Sequence, residues 1–124
     1  MRLLLDTHAF LWLSSNPEKM SVKAMEYCED SINQLYLSVV SAWEIQIKRR
    51  LGKLELDAPL VEMIETQQKD NNLRILPVEL NHTYRLDELP LHHNDPFDRL
   101  LIAQSLSENM NLVSADQDIR KYSL

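Results

Sequence analysis

The apolar residues of this chain switch repeatedly between two spacings. A short unbroken run, Leu3 to Leu5, reads as the core of a buried strand over residues 2–5 that ends at Asp6. Residues 9–13 continue as a helical stretch, and Ser14-Ser15-Asn16-Pro17 breaks it. A second helix is expected over residues 17–30, where Met20, Ala24, Met25 and Cys28 recur at helical spacing. Residues 34–40 read as a second strand with Leu35, Leu37 and Val39 on one face. Ser41 stands three residues before Glu44, the pattern of a capping box ahead of Trp43, Ile45 and Ile47. That helix is expected to end near Gly52.

Further helices are expected over residues 59–69 and 80–89. Residues 74–78 form a third strand whose Pro77 suits an edge. Residues 90–96 read as a loop. The clearest helix spans residues 97–108, and a fourth strand spans 111–114, followed by a turn at Ala115 and Asp116. Strand and helix alternate throughout. This predicts an α/β fold with a parallel sheet and helices on both faces.

At 124 residues the chain is the length of one ordinary domain, and residues 1–124 are expected to form one. A hydrophobic fraction of 44% suffices for a real core. No run is long enough for a membrane span, and Asp6 and His8 cut short the apolar start before it makes a signal peptide. The lone cysteine, Cys28, cannot form an internal disulfide and is read as a buried structural thiol. A reducing, cytoplasmic location is expected. With a single glycine, Gly52, the chain has no glycine-rich phosphate loop, which excludes Rossmann and P-loop readings. A net charge of −6 argues against a passive nucleic-acid coat. It leaves room for a nuclease, whose metals reverse the sign at an acidic centre.

Four carboxylates fall where elements end or begin: Asp6 after the first strand, Glu44 and Asp98 at helix starts, and Asp116 after the fourth strand. In an open parallel sheet, strand C-termini and helix N-termini share one edge, where ligands bind. Carboxylates brought together there repel unless a cation compensates them. An all-oxygen set suits magnesium or manganese. His8, His82, His92 and His93 lack a zinc spacing.

Each acidic residue also has a plainer reading. Glu44, Asp98 and Asp95 can serve as helix caps or dipole partners, and Asp116 as a turn residue. Asp6 resists this reading, because a charge at the end of a buried strand is costly. Asp95, Asp118, Thr7 and Ser114 are secondary candidates, the hydroxyls for orienting a carboxylate or bound water. Lys48, Arg49, Arg50 and Lys53 read as a solvated helix face, with phosphate contact as the functional alternative. Trp12 and Trp43 are read as core or interface.

Four segments together carry a family resemblance: Leu4-Leu5-Asp6-Thr7-His8-Ala9-Phe10-Leu11-Trp12, Ser38-Val39-Val40-Ser41-Ala42-Trp43-Glu44-Ile45, Asp95-Pro96-Phe97-Asp98-Arg99-Leu100-Leu101-Ile102-Ala103-Gln104, and Leu112-Val113-Ser114-Ala115-Asp116. In this order the chain resembles the PIN-domain ribonucleases of the VapC toxin type, one half of bacterial toxin–antitoxin pairs. The resemblance implies a three-layer α/β/α sandwich with a central parallel sheet. It also implies metal-dependent hydrolysis of RNA phosphodiester bonds. Asp6, Glu44, Asp98 and Asp116 would be the catalytic residues and would hold one or two Mg2+ or Mn2+ ions. Ser114 stands where the family usually has threonine. Asp95 competes with Asp98 for one metal role, and the spacing to Ala103 favours Asp98.

Expected partners are RNA, a small cognate antitoxin and a second copy of the chain as a homodimer. Phosphatase and phosphoacceptor readings are disfavoured, since His8 stands where the first wants a second aspartate. The non-catalytic alternative is a module that holds a basic peptide in an acidic cleft.

Overall fold

The computed structural model describes residues 1–90 and 95–114. Four strands form a parallel sheet: β1 (Arg2–Leu5), β2 (Gln34–Ser38), β3 (Arg74–Leu76) and β4 (Asn111–Val113), in spatial order β3-β2-β1-β4. Among the described residues six α-helices connect them: α1 (Thr7–Ser15), α2 (Val22–Glu29), α3 (Val39–Arg50), α4 (Leu60–Asn71), α5 (Leu80–Arg85) and α6 (Pro96–Ser107).

The central strand sets the layering. Side chains alternate across a strand, so Leu3 and Leu5 face one way and Leu4 the other. Leu3 and Leu5 pack with Ala9 and Phe10 of α1, Cys28 of α2, Ile45 of α3 and Leu60 and Met63 of α4. Leu4 packs with Val40, Leu89, Leu101, Ile102, Ala103 and Leu112. Two apolar layers therefore sandwich the sheet, giving the three-layer α/β/α architecture. A β1 buried on both faces explains the unbroken Leu3-Leu4-Leu5 run.

Several local expectations shift. Ser21, not Pro17, starts the second helix: its hydroxyl accepts from Ala24 N, and Pro17–Lys19 form a separate 3-10 turn. Val39 opens α3 rather than extending β2, because the Ser38 hydroxyl caps the helix by accepting from Val40 N. Ser41 is therefore inside α3 and is no cap. The expected capping box occurs elsewhere, at Glu79 and His82 of α5. Pro77 lies just beyond β3, which is an edge strand as expected. Gly52 adopts φ +71° after α3. Nothing stands within 4 Å of a Cβ placed there, so the left-handed backbone alone accounts for the glycine.

Candidate active site

The order β3-β2-β1-β4 reverses direction between β1 and β4. The chain moves outward from β1 through β2 to β3 and then crosses to the far side of β1. Such a switch leaves a crevice beyond the strand C-termini. Asp6 sits at its lip. Its backbone N–H donates to Val113 O at 3.1 Å, which ties the exit of β1 to the exit of β4. Ser114 is half-buried at the same edge. Asp116 and Asp118, together with His92 and His93, lie outside the described residues.

Asp6 is only 3% exposed and caps α1, its Oδ1 accepting from Ala9 N at 2.7 Å. Asp6 thus serves as a helix cap, a role the sequence reading gave to Glu44, Asp98 and Asp95 instead. The cap accounts for one oxygen of a buried carboxylate, and Asp6 has a further interaction besides.

Glu44 departs from expectation. It lies in the second turn of α3 rather than the first, so it caps nothing, and it is 3% exposed. Both of its oxygens are held. Oε1 lies 2.6 Å from Thr7 Oγ1, and Oε2 lies 2.5 Å from Lys48 Nζ. Thr7 Oγ1 also lies 3.0 Å from Ser41 Oγ. A carboxylate can only accept, so the single Thr7 proton goes to Glu44 and Ser41 supplies the proton of the second contact. Thr7 follows Asp6 directly, so the Thr7–Glu44 bond ties Glu44 to the residue next to Asp6. This hydroxyl, a secondary candidate in the sequence, orients a carboxylate.

Asp98 approaches from α6. Asp95 is the N-cap of that helix, accepting from Asp98 N at 3.0 Å, with Pro96 in the first turn. Asp98 stands in the same first turn and is half-buried. Two observations place this end of α6 beside α3. The Trp43 and Phe97 rings, each the neighbour of an acidic residue, meet edge to face at 5.2 Å. The Lys48 ammonium also feels both α6 carboxylates. Its pKa is raised from the ordinary lysine value, first by the hydrogen bond to Glu44 and further by the charges of Glu44, Asp95 and Asp98, against the lowering effect of burial.

The basic run divides accordingly. Arg49, Arg50 and Lys53 are exposed, as a solvated face requires, whereas Lys48 turns into the site. Trp43 is 59% exposed on the rim, and Trp12 is half-buried against the core.

Oxygen donors from carboxylates and a hydroxyl suit a hard divalent cation, and the site already accepts a cation in the form of the Lys48 ammonium. Among the described residues, no three His, Cys, Asp or Glu side chains are grouped closely enough to hold a metal ion.

A second buried polar cluster went unread in the sequence. Gln104 of α6 is fully buried, and its Oε1 lies 2.6 Å from Ser38 Oγ. Its Nε2 donates to Pro77 O at 3.1 Å and lies 3.3 Å from Nδ1 of buried His82. His82 Nδ1 also accepts from Glu79 N, and Nε2 lies 2.8 Å from Glu108 Oε2. The tautomer is thereby fixed: Nδ1 accepts and Nε2 carries the proton toward Glu108. This cluster locks α6, which carries Asp98, to the cap of α3, which carries Glu44. Its one signal in the sequence was a glutamine directly following Leu100-Leu101-Ile102-Ala103.

The PIN domain model matches residues 3–123. Ribonuclease VapC22 of Mycobacterium tuberculosis is 25% identical over 121 residues, covering 97% of this chain and 91% of that protein. A crystal structure of VapBC2 from Rickettsia felis, bound to a DNA fragment from their promoter, superposes with a TM-score of 0.71. It is 16% identical and covers 98% of this chain and 93% of the other, so it speaks for the fold. No helix among the described residues is long and apolar enough to cross a membrane. The PIN model spans both lips of the crevice, from β1 through β4, and the chain belongs to the PIN domain family.

Proposed function

We propose that this chain is a Mg2+- or Mn2+-dependent endoribonuclease and the toxin of a toxin–antitoxin pair. The observation that carries this reading is the joining of Asp6 to Glu44 through Thr7 at the β1/β4 crevice, with the α6 carboxylates acting on the same Lys48. Its likeness to Ribonuclease VapC22 gives the substrate class.

In this reading Asp6, Asp98 and Asp116 would hold the ion, and Glu44 would hold the ion or its water. A bound divalent ion supplies activation of water for attack on phosphorus and neutralisation of charge on the phosphate. The chain's own contribution is positioning. Asp6 is fixed by its capping bond and Glu44 by Thr7, so neither carboxylate reorganises during the reaction. Burial of both strengthens their pull on a cation. No covalent enzyme intermediate is required.

An active ribonuclease endangers its own host, and the proposed restraint is a small antitoxin. The engagement of Lys48 with Glu44 is the kind of contact that a partner's basic side chain would make there. The same observation favours the second reading, a non-catalytic module that holds a basic peptide. Co-expression separates the two. The ribonuclease reading expects the chain alone to arrest growth and to cut cellular RNA, and an adjacent small gene product to copurify and suppress both effects. Harmless expression with intact RNA in the presence of manganese leaves the binding module.

A further inference from the structure

Lys48 stands one helical turn beyond Glu44, with its ammonium on Glu44 Oε2. Exposed lysine–glutamate pairs at this spacing stabilise a helix only slightly. Here the arrangement differs in two ways. Glu44 is buried, and Thr7 occupies its other oxygen. The charges of Asp95 and Asp98, at the start of a second helix, also act on the ammonium. Its neighbours Arg49 and Arg50 point to solvent, so the inward turn belongs to Lys48 and not to the basic run as a whole.

A buried carboxylate needs a compensating charge at all times. A divalent ion meets that need only while it is bound. Lys48 can meet it otherwise, because its side chain remains 37% exposed on a flexible four-carbon stem and can leave as easily as it arrives. A nucleic-acid substrate brings phosphate charge to the same rim, where a released ammonium finds a new partner.

Resting on the ribonuclease reading, we propose that Lys48 is the built-in counter-cation of this site: it neutralises Glu44 and the α6 carboxylates without metal, and moves onto a substrate phosphate when metal takes them. Lys48 is thus a positioning and substrate-binding residue that competes with the ion for Glu44. Competition gives it a signature opposite to that of a mere prop. Removing a prop weakens metal binding, whereas removing a competitor tightens it.

The test uses the full chain as wild type, Lys48→Met and Lys48→Arg, with manganese chloride as the probe. Melting is followed in EDTA and in manganese, binding by calorimetry, and RNA cleavage by initial rates. Lys48→Met is expected to melt lower in EDTA, to gain a larger rise on adding manganese, and to bind manganese several-fold more tightly. Its KM for RNA is expected to rise more than its kcat falls. Lys48→Arg, which keeps the charge, is expected to stay near wild type in EDTA and shows whether any loss in Lys48→Met reflects charge rather than folding. A wild type that responds to manganese while Lys48→Met responds equally or more weakly overturns the counter-cation role alone. A wild type indifferent to both manganese and magnesium overturns the metal reading and this proposal with it.

Discussion

Thr7 and Glu44, 37 positions apart, share a buried hydrogen bond of 2.6 Å between the Thr7 hydroxyl and Oε1. This bond couples the residue after Asp6 to a helix that touches both layers of the sandwich, since Val40 of α3 packs in one core and Ile45 in the other. Glu44 is therefore aimed by α1 as well as by its own helix.

Thr7→Val keeps the shape and removes the proton donor. A buried acceptor left with one fewer partner costs about 1–3 kcal/mol. Urea unfolding is expected to show a loss of that size, and RNA cleavage to fall with it, while Thr7→Ser restores both. Full stability and full activity in Thr7→Val would remove Thr7 from the site.

How much of this was legible in the sequence differs from residue to residue. The Leu3-Leu4-Leu5 run announced a strand buried on both faces, and Asp6 after it announced a charge in an expensive place. Glu44 was found for the wrong local reason. The Ser41-to-Glu44 spacing looked like a capping box, but Ser38 takes the cap, and the whole helix starts three residues earlier. Capping competes among nearby hydroxyls, and only the tertiary path of the chain decides which one wins. The Gln104–Ser38 bond spans 66 positions and was not readable, because a polar residue on an apolar helix face names no partner.

Gln104 serves three elements at once, so Gln104→Leu takes a partner from the Ser38 hydroxyl proton and the Pro77 carbonyl in the interior, while His82 Nδ1 keeps its bond from Glu79 N. A loss of more than about 2 kcal/mol is expected, as several buried groups each lose a partner. Gln104→Glu keeps the acceptor for Ser38 but cannot donate to Pro77, and it is expected to be destabilised as well. Denaturation midpoints equal to wild type in both variants would show that the cluster contributes nothing.

Cys28 is buried in the core between α2 and the sheet, and burial, with a smaller contribution from Glu29, pushes its thiol from about 9 to about 11. A pKa raised on folding means that this group's contribution to stability is intact below pH 9 and is lost as the pH climbs toward 11. At pH 8 the native thiol is expected to react with a disulfide reagent far more slowly than the same chain in urea. Equal rates would place Cys28 at the surface.

Asp98→Asn removes a charge from the first turn of α6 and leaves the Asp95 cap in place. The metal-free fold is expected to survive, and the manganese-induced rise in melting temperature to shrink. An undiminished rise would take Asp98 out of the ligand set.

The central claim, that Asp6 and Glu44 form a metal-dependent ribonuclease centre, is tested most directly by incubating the purified chain with total cellular RNA, with manganese or with EDTA, beside Asp6→Asn. Asparagine caps a helix as well as aspartate does, so this variant keeps α1 and loses only the charge. The predicted result is discrete cleavage by wild type with manganese, none in EDTA, and a loss of at least about a hundredfold, the scale of about 2.7 kcal/mol in the barrier, in Asp6→Asn. RNA left intact by wild type, or cut equally by wild type and Asp6→Asn, would contradict it.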